Sequence, residues 1–101
     1  MKKRKVDEIE LKRWRVLDAA TVLLKLSEHA KQDLTFVPIK NSSTIRLNIT
    51  VENREFEILC TGSKFYDTRA EKGGGGAIDL VMHLCKVNFR KATEILGSKK
   101  I

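Results

Sequence analysis

The sequence predicts an α+β domain: a small antiparallel β-meander of three to four strands, with an N-terminal helix and two C-terminal helices packed on it. Apolar residues recur at helical spacing from Val16 to Ala30, and the period shortens to two between Thr44 and Thr61. Helical spacing returns after the run Gly73-Gly74-Gly75-Gly76. A chain of 101 residues, 42% of them hydrophobic, has material for one core and one domain. That domain is expected over 7–101, behind a basic arm at 1–6.

In the arm, Lys2, Lys3, Arg4 and Lys5 repel one another, which predicts disorder. It reads either as a solvated tail or, in a eukaryotic chain, as an import signal. The first helix carries Val16, Ala19, Ala20, Leu23, Leu24, Leu26 and Ala30 on one broad apolar face, with Asp18 in its first turn at the positive end of the dipole. Residues 7–15, which include Trp14 between Arg13 and Arg15, either extend this helix or form a separate turn. His29 reads as a favourable charge near the helix end.

Strands are expected at Leu34–Ile39, Thr44–Thr50, Glu55–Thr61 and Lys64–Asp67, separated by Asn41-Ser42-Ser43, Glu52-Asn53 and Gly62-Ser63. Ile45, Leu47, Ile49 and Val51 alternate with Arg46, Asn48 and Thr50, the pattern of a half-buried strand. Phe56 and Ile58 alternate with Glu55 and Glu57 in the same way. Pro38 places the first strand at an edge. The glycines at 73–76 read as a loop, because a strand or helix interior of glycine is entropically costly. A helix then carries Ala77, Ile78, Leu80, Val81, Leu84 and Cys85, and a last one runs over Phe89–Leu96 with Phe89, Ala92, Ile95 and Leu96 inward and Gly97 as its C-cap.

Composition narrows the function classes. Lys and Arg number 20 against 13 acids, a net charge of +7, which favours a polyanionic partner. Cys60 and Cys85 sit in apolar runs and the opening MKKRKVDEIE has no apolar stretch, so a reducing, cytoplasmic setting with free buried thiols is expected. No membrane contact is expected, because no run nears the roughly 18 apolar residues of a span. Cys60, Cys85, His29 and His83 lack the paired spacing of a zinc site, and His83 and Cys85 point to different helix faces. Without paired acids or an activated nucleophile, neither enzyme activity, metal nor cofactor is expected.

Two segments carry binding chemistry. Glycines Gly73, Gly74, Gly75 and Gly76 before a helix let backbone N–H groups approach an anion, although no nucleotide-binding P-loop pattern is present and Asp79 would compete with a phosphate there. The alternative is a tight crossover that packs strand on helix. The segment Lys64–Lys72 interleaves rings and cations, the make-up of a single-strand-binding surface. As a strand it must turn one of Phe65 and Tyr66 inward and leave the other free. The expected interface comprises Lys64, Tyr66, Arg69, Lys72 and the four glycines, with Arg90 and Lys91 nearby, and its expected ligand is nucleic acid, single-stranded DNA by preference.

The run Gly62–Leu96 resembles the second half of the zinc-ribbon domain at the N-terminus of bacterial-type DNA primases. Gly76, Asp79, Leu80, Val81 and Met82, then Phe89, Ala92 and Leu96, match that family's two helices. The likeness is closest to zinc-free versions in primase-like proteins of plasmids and mobile elements, whose signature Lys64–Asp67 and Gly73–His83 match. The helix at Leu17–Leu26 matches the family's leading helix more loosely. Val37-Pro38-Ile39-Lys40 stands where the metal-binding members carry a Cys-Pro-x-His-like element, and the second ligand pair is missing around Tyr66–Gly74, so zinc is not implied. The resemblance implies template-strand binding in priming or replication. Such primases continue into an acidic polymerising domain that these residues do not supply. It therefore also implies an excised domain, or a small protein working with a replication polymerase or helicase in trans.

Overall fold

Two aspartates divide the N-terminal segment into two helices. In the computed structural model, which describes residues 7–101, α1 spans Glu8–Val16 and α2 spans Ala19–Leu26. The basic arm expected at 1–6 lies outside the described residues. The Asp7 carboxylate accepts from the Ile9 N–H, and Asp18 accepts from both the N–H and the hydroxyl of Thr21. Each carboxylate satisfies a donor that a helix start leaves orphaned. One continuous helix from Val16 to Ala30 is therefore corrected to a break at Leu17 and Asp18, both extended, with Asp18 the cap before the first turn. Trp14 on α1 is 1% exposed, and its Nε1–H donates to the Ile101 carbonyl at 3.3 Å.

The sheet has five antiparallel strands in the order β1-β2-β3-β4-β5, one more than the upper expectation. They are β1 His29–Gln32, β2 Ile45–Val51, β3 Arg54–Thr61, β4 Lys64–Asp67 and β5 Lys72–Gly75. The three central strands fall where alternation places them. Both edges are corrections. Leu34–Ile39 is not a strand: the Asp33 carboxylate accepts from the N–H and hydroxyl of Thr35, and the Phe36 N–H bonds the Asp33 carbonyl, which turns the chain. The edge strand instead begins at His29, which pairs with Thr50 and caps no helix. Between β1 and β2 the chain forms a strap over 33–44.

At the other edge, Gly73, Gly74 and Gly75 are strand, paired with Tyr66, Phe65 and Lys64. Propensity is overridden by packing. A Cβ on Gly74 would lie 2.1 Å from Asp79 Oδ2 and 2.9 Å from the Phe65 ring, so those side chains occupy the space that a residue here would need. Gly76, at φ +89°, then turns the chain into α3 (Ala77–Cys85). The β2–β3 hairpin turns on Glu52 and Asn53, both at positive φ, and the Glu28 carboxylate accepts from their N–H groups.

One face of the sheet carries Leu47, Ile49, Val51, Ile58, Cys60, Phe65 and Asp67, and it shares a core with Leu23 of α2 and with Leu80, Val81 and Leu84 of α3. Against α3 packs α4 (Phe89–Ser98), with Ala92 and Leu96 buried. Two expectations change here. Phe89 is exposed, and Gly97 lies inside α4 rather than capping it. The left-handed residue is Lys100, which lets the Ile101 N–H reach the Leu96 carbonyl and buries Ile101. With the helices on one side, the opposite face of the sheet is open apart from the strap that covers part of it.

Candidate nucleic-acid interface

Alternation decides which residues reach the open face. On β4, Phe65 and Asp67 point to the core, so Lys64 and Tyr66 point out. The register aligns Arg46, Leu59, Tyr66 and Gly73 in one row across four strands. Tyr66 is 41% exposed, and its ring lies over Gly73, where a Cβ would sit 3.1 Å from Tyr66 Cδ1. A missing side chain at 73 thus gives the tyrosine a flat backbone to rest on.

The strap closes one side of this row and makes a groove of about 670 Å³. Leu59 forms part of its floor, Phe36 and Tyr66 contribute rings, and Lys40 and Lys64 contribute charge. Among the described residues neither lysine makes an ion pair. Arg46 is compensated: it holds Asp33 through Nε at 2.9 Å and through Nη2, lies 3.6 Å from Glu57, and covers the Phe36 ring at 5.0 Å. These contacts pin the start of the strap to β2.

Hydrogen bonding from Thr35, then from Arg46, holds the Asp33 carboxyl down to about 2. Because the folded value is depressed below the ordinary 3.8, the stabilisation is present above that range and is lost as pH falls through about 2. A carboxyl-detected NMR titration should find the Asp33 midpoint near 2, and Arg46→Gln should move it upward. A midpoint in the ordinary range in the unsubstituted protein would mean that the strap is not pinned here.

The expected interface residues divide among three places. Lys64, Tyr66, Gly73 and Gly75 share the open face by register. Arg69 sits in the β4–β5 turn, and Lys72, paired with Asp67, alternates toward the helix side. Arg90 and Lys91 lie on α4, 3.7 and 3.9 Å from Glu94, away from the open face. The glycine amides form no anion cradle: the Gly75 N–H donates to Asp79 Oδ2 at 3.1 Å and the Gly76 N–H to the Ser63 carbonyl at 3.0 Å. By ladder alternation the Gly74 N–H faces β4 as well, which leaves Gly73 facing outward.

Several further residues join these surfaces through the fold. Phe36 and Lys40 reach the groove only because the strap folds back. Asp67, 3% exposed, accepts from the N–H groups of Arg69 and Ala70 through Oδ1 and meets His83 Nε2 at 2.7 Å through Oδ2. An aspartate closing a strand ahead of a polar turn was the available signal. Burial pushes the Asp67 carboxyl up, but the His83 hydrogen bond and the two N–H groups outweigh it and hold it below its ordinary value. Cys60 and Cys85 are free, buried thiols; burial, helped by the charge of Asp18, pushes Cys60 up to about 12, and burial also raises Cys85.

The fold and groove define a class: an α+β domain whose five-stranded sheet is covered by helices on one face and partly strapped on the other. No protein-family model matches the chain. No solved structure matches it. Over 44 residues it is 46% identical to a "65 kDa protein" of Zymomonas mobilis subsp. mobilis, a stretch that covers 44% of this chain and 8% of that protein. The chain therefore spans less than a tenth of that relative's length. Among the described residues, no helix is long and apolar enough to cross a membrane.

Proposed function

We propose that this domain binds single-stranded nucleic acid, DNA by preference, on the open face of its sheet, in the priming or replication of a plasmid or mobile element. The observation that carries the reading is the row Arg46–Leu59–Tyr66–Gly73, beside Phe36 and beside Lys40 and Lys64, which form no ion pair among the described residues. Bases stack on the exposed ring while the lysines follow the phosphates, and the +7 net charge raises the local concentration of the strand. The likeness of Gly62–Leu96 to zinc-free primase domains supplies the replication setting. The glycines serve this reading by giving space rather than by donating hydrogen bonds. In this reading the domain is no enzyme and works without metal or cofactor in the cytoplasm.

The test is anisotropy of a labelled oligonucleotide at two salt concentrations, with duplex as competitor. Binding should weaken with salt and favour single strands, and Tyr66→Ala should weaken it by about tenfold, the loss of one stacked base. Lys64→Gln should lower the salt slope by roughly 0.7. Equal affinity for duplex, or a Tyr66→Ala variant that binds as well as the parent, overturns the reading.

One observation favours a second role. Leu34, Val37 and Ile39 on the strap are exposed, Ile39 to 96%, which suits docking on a replication polymerase or helicase. Serine at Leu34 and Val37, which lie outside the groove lining, would abolish such docking while leaving oligonucleotide affinity intact.

A further inference from the structure

The opposite end of the sheet holds another groove, of about 680 Å³, on the helix side. The start of β3 contributes Arg54, the β4–β5 turn contributes Arg69, and the end of α3 contributes His83 and Lys86. The Arg54, Arg69 and Lys86 charges share this groove with the Asp67 carboxylate, whereas alternation along β3 turns the Glu55 side chain to the open face. Asp67 is already engaged by the N–H groups of Arg69 and Ala70 and by His83, so its charge is met from within. Arg69 and Lys86 make no ion pair among the described residues. Arg54 is oriented, since Nη2 donates to the Leu84 carbonyl at 3.3 Å, and its ion pair with exposed Glu52 is long, at 3.7 Å. His83 has only Nε2 committed; Nδ1 has no partner among the described residues and is not sealed in the interior.

We propose that this groove binds a phosphate group, with Arg69 and Lys86 as the available charges, Arg54 as an oriented donor and His83 Nδ1 at its wall. A guanidinium presents a planar fork that matches phosphate oxygens, and an ammonium adds a mobile point charge. Asp67 is a positioning residue here, because it fixes the ring of His83 and the backbone that carries Arg69. The groove lies at the far end of the sheet from Lys64 and opens on the other face, so it does not depend on the open-face reading. The phosphate belongs either to a strand or to a small molecule.

Amide NMR of the full chain tests this with inorganic phosphate, a 5′-hydroxyl oligonucleotide and a 5′-phosphorylated one. Inorganic phosphate should shift the amides of Arg69, Ala70 and Lys86 saturably, and the paired substitution Arg69→Gln with Lys86→Gln should weaken that by at least about tenfold. The same variant should keep its dispersed spectrum, which shows that it still folds. Groove shifts with the phosphorylated oligonucleotide but not the hydroxyl one would assign a terminal phosphate, and shifts with both would assign a backbone phosphate. Shifts with inorganic phosphate alone would assign a small-molecule ligand. No saturable shift at these amides with any probe, or unchanged shifts in the paired variant, overturns the site.

Discussion

Asp67→Ala is expected to destabilise the fold by about 2–4 kcal/mol, the cost of leaving two backbone donors and the His83 ring without their acceptor. The carboxylate is 3% exposed and accepts from Arg69 N–H at 3.0 Å, from Ala70 N–H at 3.1 Å and meets His83 at 2.7 Å. Removing it orphans two backbone donors at the turn that starts β5 and frees the His83 ring on α3. Denaturant unfolding measures the loss. Asp67→Asn should lose less, because its amide oxygen still accepts from the turn. The pH dependence has a definite sign. Since the native carboxyl is held below its ordinary 3.8, its contribution is present above that range and fades as pH falls through the lowered native value. Asp67→Asn should therefore lose part of the acid limb of the stability profile. Full stability in Asp67→Ala would mean that the turn is held by something else.

Gly74→Ala should cost about 2 kcal/mol, an overpacking penalty, whereas Gly75→Ala should be neutral to within about 0.5 kcal/mol. The added methyl at 74 would fall 2.1 Å from Asp79 Oδ2 and 2.9 Å from Phe65 Cζ. Asp79 would have to leave, which breaks its bond to the Gly75 N–H, and the buried Phe65 ring would have to move as well. At 75 the nearest atoms to a new Cβ are 3.9 and 4.0 Å away, an ordinary contact. Thermal unfolding of the two variants compares neighbouring glycines in one strand. Equal stability of both would show that β5 does not pack as described.

These contrasts bear on how much was legible beforehand. The alternation of Ile45, Leu47, Ile49 and Val51 against Arg46, Asn48 and Thr50 located β2, and Lys64–Asp67 matched β4 residue for residue. A strand with one buried face must alternate, so its pattern is written locally. The edge strands carry no such mark. His29–Gln32 is exposed throughout, and Lys72–Gly75 is mostly glycine. Each is a strand because a neighbour offers a ladder, and propensity cannot report that. The same holds for the break at Leu17 and Asp18, where the apolar period runs on but a capping carboxylate ends one helix and begins another.

The candidate sites divide along the same line. Composition and local pattern set the basic balance, the ring-and-cation segment around Tyr66, and the requirement that Phe65 and Tyr66 part company across the sheet. Packing between distant segments settles which residues join them. Register put Arg46, Leu59 and Gly73 in line with Tyr66, the folded-back strap brought Phe36 and Lys40, and α4 carried Arg90 and Lys91 away. Pairing across a sheet and the return of a loop are contacts between distant residues, set by how the whole core packs. A local pattern fixes which way a side chain points, and the packed core fixes what it meets.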